Sequence, residues 1–264
     1  STIALGFQME FLAADRVAQA RRAQGLAADA PALGFSNYDF LFADALRVGE
    51  GFELEVKKTV SRSDGGLSNR VVLRKEGGQL VLMGSQSESA APRFLADIEP
   101  SGLPSLEHMP DRVNLAGTPY FLKRKFLNTA NGKNFAVGAL CDQFDYFDEL
   151  SERIHFAPLF TAALLSSALL EKGRSRGYDF EADPLVYTAH QISVDNALQQ
   201  ALRSNHRLDI LVEGPLPVAA QKGLGRCAVE QQAYHCFGLV HGRQVLFRAR
   251  VLLAPLHAFL AQQA

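Results

Sequence analysis

The sequence has little cysteine, no excess of either charge and no long uninterrupted apolar run. Its three cysteines, Cys141, Cys227 and Cys236, are scattered without zinc-ligand spacing, as expected of a reduced, cytoplasmic protein rather than a disulfide-stapled one. Lysine plus arginine number 27 against 28 acidic residues, which argues against a nucleic-acid partner or an anionic membrane surface. The densest basic run, Lys123, Arg124 and Lys125, reads as a solvated strand end. No stretch reaches the ~18 apolar residues of a membrane-spanning helix. The first residues lack the basic start and cleavage site of a signal peptide. The chain opens on STIALGFQMEF without Met, as a trimmed N-terminus would. There is no Gly-x-Ser-x-Gly elbow, no phosphate loop and no metal-ligand cluster, so no metal or bound cofactor is expected.

The 264 residues, 47% apolar and 21% charged, can build one large core or two ordinary ones. The stretch everything else is arranged around is HFAPLFTAALLSSALLEKG, from His155 to Gly173. It is apolar on nearly every side, with no charge before Glu171, and Gly173 stands where a left-handed C-cap is expected. Strand-like runs flank it. The pattern predicts a helix wrapped by a sheet.

Residues 4–25 read as a second, amphipathic helix ending at Gly25, with Phe7, Phe11, Ala14 and Ala18 inward and Arg16, Arg21 and Arg22 in water. GFSNYDFLFA and FELEVKKTV read as strands, Asp64-Gly65-Gly66 as a turn, and residues 69–76 and 79–86 as a hairpin across Gly77-Gly78. Residues 90–119 hold Pro92, Pro100, Pro104, Pro110 and Pro119 without a sustained period, as an interdomain connection does. Strand signals return at PYFLKRKFL and FAVGALC. After the buried helix come LVYTAHQISV, LDILVEG, RCAVEQQAYHCFGLV and QVLFRARVLLA, the last two joined at His241-Gly242.

Both halves run in the same order. ALRVGEGFELEV (45–56) aligns with ALRSNHRLDILV (201–212), GGQLVLMGSQ (77–86) with HGRQVLFRAR (241–250), and the helices at Phe11 and Phe160. So long a period indicates duplicated α+β domains. The expected division is 1–90, a connection over 91–118, and 119–264, with one strand missing before the first helix.

Such a unit resembles a hotdog domain, and the pair resembles a double hotdog forming a pseudo-dimer. Within that superfamily GGLSNRVVLRKEGGQLVLMGS, AVGALCDQ and the last hairpin are similar to the acyl-CoA thioesterase II family. That family orients a hydrolytic water with an Asp at a strand end, a Thr on the next strand and a Gln on the last. Asp142 matches the first; Gln191 stands where the Thr would be, and Arg250 near the Gln. The Gln191 amide both donates and accepts, so the resemblance implies hydrolysis by Asp142 and Gln191. Asp142 reads equally as a helix N-cap or turn residue.

His155-Phe156-Ala157-Pro158 is similar to the His-Phe-Pro that opens the helix of hydroxyacyl-acyl carrier protein dehydratases. Those enzymes pair the His with an acid on the facing helix, here Glu10. A neutral His removes the proton α to a thioester while an acid protonates the leaving hydroxyl. His155 and Glu10 also read as ordinary helix residues. His190 and His235 read as satisfied strand residues, and Ser166 and Ser167 as hydroxyls bonded to the preceding turn. The implied partner is an acyl thioester on CoA or on an acyl carrier protein, its tail between the halves. Hydrolysis is the first expectation, dehydration the second and silent acyl binding the third. Double-hotdog units are a possible homo-oligomer.

Overall fold

Helix-forming residues without a β-branched run give α1, Gly6–Ala23. It ends where Gly25 adopts a φ of 67°, and the Leu26 N–H bonds back to the Arg21 carbonyl at 2.9 Å, satisfying the last turn. The computed structural model describes residues 3–26, 33–148, 150–218 and 230–261. Cys227 and the start of the run expected to lead into the last hairpin lie outside them.

Two strands follow α1, β1 (Phe35–Phe42) and β2 (Phe52–Val56). The short β3 (Val60–Ser61) leads to the hairpin of β4 (Leu67–Lys75) and β5 (Leu80–Ser89), turned at Gly78 with a φ of 84°. The second half supplies β6 (Val113–Asn114), β7 (Phe121–Phe126), α2 (Thr129–Gly138) and a two-stranded ribbon of β8 (Phe147–Asp148) and β9 (Arg153–Ile154). Then come α3 (Pro158–Ala163), α4 (Leu165–Ser175), β10 (Leu185–Asp195) and α5 (Asn196–Gln200). The chain closes with β11 (Arg207–Pro217), β12 (Gln232–Val240), β13 (Gln244–Pro255) and α6 (Leu256–Ala261).

Among the described residues one sheet runs β2-β4-β5-β1-β10-β13-β12-β11-β7-β6, with β3 beside β4. Outward from its centre each half has the first, fourth, third and second long strand that follows its helix: β1, β5, β4, β2 on one side and β10, β13, β12, β11 on the other, where β7, which precedes the helix, adds a further strand. The halves join where β1 and β10 pair antiparallel, Phe40 opposite His190. Phe11 of α1 and Phe160 of α3, matched in sequence, are both buried in one continuous core on the helix face. Each burial contributes about 2 kcal/mol.

The connection over 91–118 does not cross open solvent. Leu103, Leu106 and Leu115 pack on Leu122, Leu211 and Phe237 of the outer sheet face. Arg124 and Arg248 fasten it by donating to the carbonyls of Leu106 and Ile98.

Four local expectations are corrected. FAVGALC is no strand: the Asn128 side chain accepts from the Ala130 N–H at 2.8 Å and starts α2 through this stretch, so capping outweighs β propensity. The single central helix is two, α3 and α4, meeting at Leu164. Gly173 lies inside α4, where the Phe180 ring occupies the space of a side chain; the left-handed residue is Gly177. Arg21 faces inward, bonding Asn69 Oδ1 at 2.9 Å and Glu88 Oε1 at 2.6 Å, and so ties α1 to the first hairpin.

Gly84 of β5 lies against the β1 backbone, where a Cβ would strike the Asp39 carbonyl oxygen. Gly84→Ala is therefore expected to destabilise the chain by about 3 kcal/mol. An unchanged urea unfolding midpoint would show that β1 and β5 are not packed this closely.

Candidate functional site

A cavity of about 810 Å³ opens on the helix side of the sheet, walled by both halves. The segment that leads into α1 and its first residues (Ile3 to Phe7), with Phe42, come from the first half. Phe160, Leu164, Leu169, Tyr187, Leu253 and Phe259 come from the second. Its lining is mainly apolar, and the polar side chains on it are few: Asp44, Ser166, Arg176, Tyr178, Tyr187, Gln232 and Tyr234.

The α1 N-terminus has no side-chain cap, because Leu5 stands at the capping position. Among the described residues the N–H groups of Gly6 and Phe7 have no partner. Such a terminus favours a carbonyl oxygen or developing negative charge. Gly6 lets the Phe42 ring lie close against the first turn.

Asp44 follows β1 and is the only carboxylate on the wall among the described residues. It is 5% exposed. The Ala45 N–H donates to its Oδ1 at 2.7 Å, and Lys75 Nζ lies 3.0 Å from Oδ2. That ammonium is shared with Glu50 at 3.0 Å. Burial pulls the Lys75 pKa down, but its bonds to Asp44 and Glu50 outweigh burial and raise it, so the ammonium stays charged. Asp44 Oδ2 is itself buried and, apart from the Lys75 ion pair, has no hydrogen-bond partner.

One aromatic layer behind the wall lies a fully buried pair. Glu10 Oε1 and His190 Nδ1 are 2.8 Å apart. Phe7 stacks on the His190 ring at 4.4 Å, while Tyr187 and Phe42 meet it edge-on at 4.2 and 5.1 Å. Burial raises the Glu10 pKa above its ordinary value, against the opposing pull of His190. The Tyr187 phenol is raised likewise, and its hydroxyl lies 2.8 Å from Ser166 Oγ.

The expected site residues are distributed differently. Glu10 meets His190 rather than His155. The His155 N–H bonds the Tyr146 carbonyl at 2.8 Å, and its ring stacks on Tyr146, whose hydroxyl bonds Asp15. Burial, with Arg153 nearby, lowers the His155 pKa. Asp142 is exposed and caps a short 3₁₀ turn through the Phe144 N–H at 2.9 Å. Gln191 lies on the outer sheet face beside Asp39 and Arg250. Asp142 belongs to the helix layer, so the sheet separates it from Gln191, and none of these four residues lines the cavity. Ser167 bonds back to the Leu164 carbonyl as expected, whereas Ser166 turns to Tyr187. Asp44 was missed; its one signal is a charge interrupting the apolar FLFADAL run.

No family model and no curated protein matches this sequence. Solved structures do. A Lactobacillus plantarum protein named as an oleoyl thioesterase superposes with a TM-score of 0.57 at 11% identity, covering 96% of this chain and 90% of the other. A Mycobacterium tuberculosis protein with a double hotdog fold gives 0.52 at 14%, covering 97% and 82%. This chain is a double hotdog. A Chloroflexus aurantiacus protein named as a MaoC domain dehydratase gives 0.57 at 10%, covering 95% and 82%. At these identities the likeness establishes the fold. Among the described residues of this double hotdog no helix is long and apolar enough to cross a membrane.

Proposed function

We propose that this double hotdog binds an acyl thioester, carried on CoA or an acyl carrier protein, and hydrolyses it. The observation that carries the reading is the cavity of about 810 Å³, a mainly apolar space with a bare helix N-terminus and, among the described residues, one carboxylate in its lining. A volume of this order suits a ligand with a flexible apolar tail. Neighbours named as a thioesterase and a dehydratase agree with an acyl-thioester substrate.

The tail lies among Phe160, Leu169 and Leu253, and the thioester carbonyl points at the Gly6 and Phe7 N–H groups. The Asp44 carboxylate, in the lining of the cavity, accepts a proton from water as the water oxygen bonds to the carbonyl carbon. The tetrahedral intermediate collapses with cleavage of the C–S bond, and the proton returns from Asp44 to the thiolate. Water and thioester give acid and thiol, and Asp44 ends as a carboxylate. Dehydration needs a separate acid and base on the substrate. No histidine lies on the wall among the described residues, so hydrolysis by one carboxylate is the better fit.

Incubation with a series from hexanoyl- to hexadecanoyl-CoA is expected to give saturable release of free thiol. Calorimetry should give binding for the same compounds. Binding to none of them would sink the reading, whereas binding without thiol release would leave only the acyl-binding part.

A further inference from the structure

We infer that the Ser166–Tyr187 hydroxyl pair selects acyl chains carrying an oxygen, a hydroxyl or keto group, over plain saturated ones. The inference rests on the acyl-thioester reading above and deepens it by naming the substrate class.

The two hydroxyls lie 2.8 Å apart on a wall that is otherwise mainly apolar. Two hydroxyl groups hold two protons and four lone pairs, and their mutual bond uses one of each. One donor and several acceptors remain for a ligand. A keto oxygen accepts the free proton, and a ligand hydroxyl can accept or donate. A methylene does neither, leaving a polar group facing hydrocarbon, which is the costly arrangement.

The pair is also held in place. Tyr187 meets the edge of Phe7 at 5.6 Å and of His190 at 4.2 Å, and His190 is fixed through Nδ1 to Glu10. Burial keeps the phenol protonated by raising its pKa, so the proton is available across the working pH range. Ser166 projects from α4 rather than bonding its own preceding turn, as Ser167 does. A donor whose position is set by packing reads ligand chemistry better than a freely rotating one.

Calorimetry with the full chain, comparing 3-hydroxydecanoyl-CoA with decanoyl-CoA, tests this. The oxygenated chain is expected to bind roughly tenfold tighter. In the double variant Ser166→Ala/Tyr187→Phe, which keeps the ring edge-on to His190, the ratio should fall to about one. A purely structural hydrogen bond between α4 and β10 would lower the melting temperature without moving the ratio. A wild-type ratio near one, or a ratio unchanged in the variant, overturns the inference while leaving the acyl-thioester reading intact. The wild-type comparison decides the matter even if the variant fails to fold. Binding of neither compound overturns both.

Discussion

Asp44→Asn is expected to lower kcat for acyl-CoA hydrolysis by about 10²- to 10³-fold while changing acyl-CoA affinity little. The substitution keeps the shape of the side chain, and its amide oxygen still accepts the Ala45 N–H. What it removes is the capacity to take a proton from water, because a neutral amide is not a base at any working pH. Stability should drop by about 1–3 kcal/mol, because the new amide nitrogen would face the Lys75 ammonium, which retains Glu50 as its partner. Thiol release and the urea midpoint are therefore expected to separate, rate falling and fold persisting. Undiminished turnover would remove Asp44 from the chemistry. A parallel fall in rate and stability would mark it as structural. Asp142→Ala, at an exposed turn, should leave the rate as it was.

What the sequence reveals follows from the range of each signal. The order of strands, the matched Phe11 and Phe160, and the turns at Gly25 and Gly78 are local or periodic, and they survive in the structure. So does the duplication, which appears as two mirrored strand orders meeting at β1 and β10. FAVGALC misleads because its β-like composition is overridden by a cap several residues earlier, at Asn128. Arg21 misleads because amphipathic spacing says which way a residue points but not that Glu88 and Asn69 wait on that side.

The site is harder still to read, because its members meet only through the fold. Glu10 and His190 are 180 residues apart, and helix-start chemistry points instead to His155 as the partner of Glu10. The true neighbour is set by strand register across the seam, which no helical motif encodes. Asp44 becomes notable only once the α1 N-terminus is seen to line the same cavity.

That seam supports the second large prediction. Glu10→Ala is expected to destabilise the chain by about 3–5 kcal/mol, because it leaves both a cavity and a buried imidazole without its partner. Glu10→Gln should cost about 1 kcal/mol or less. Burial raises the Glu10 pKa above 4.5, so the carboxyl tends to keep its proton, and a glutamine amide can donate to His190 Nδ1 as that carboxyl does. The sign with pH follows from the same shift. A folded-state pKa above the unfolded value means that the folded chain binds this proton more tightly. Its stabilising effect is complete below about pH 4.5 and declines as pH rises through the raised folded-state value. Glutamine has no such proton to lose. Urea midpoints should therefore shift in favour of the Glu10→Gln chain, relative to wild type, as pH climbs from about 4 towards 8. A difference that stays constant over that range would mean that Glu10 is already ionised in the fold. Since His190 supports Phe7 and Tyr187, the alanine variant should also weaken decanoyl-CoA binding, whereas the glutamine variant should not.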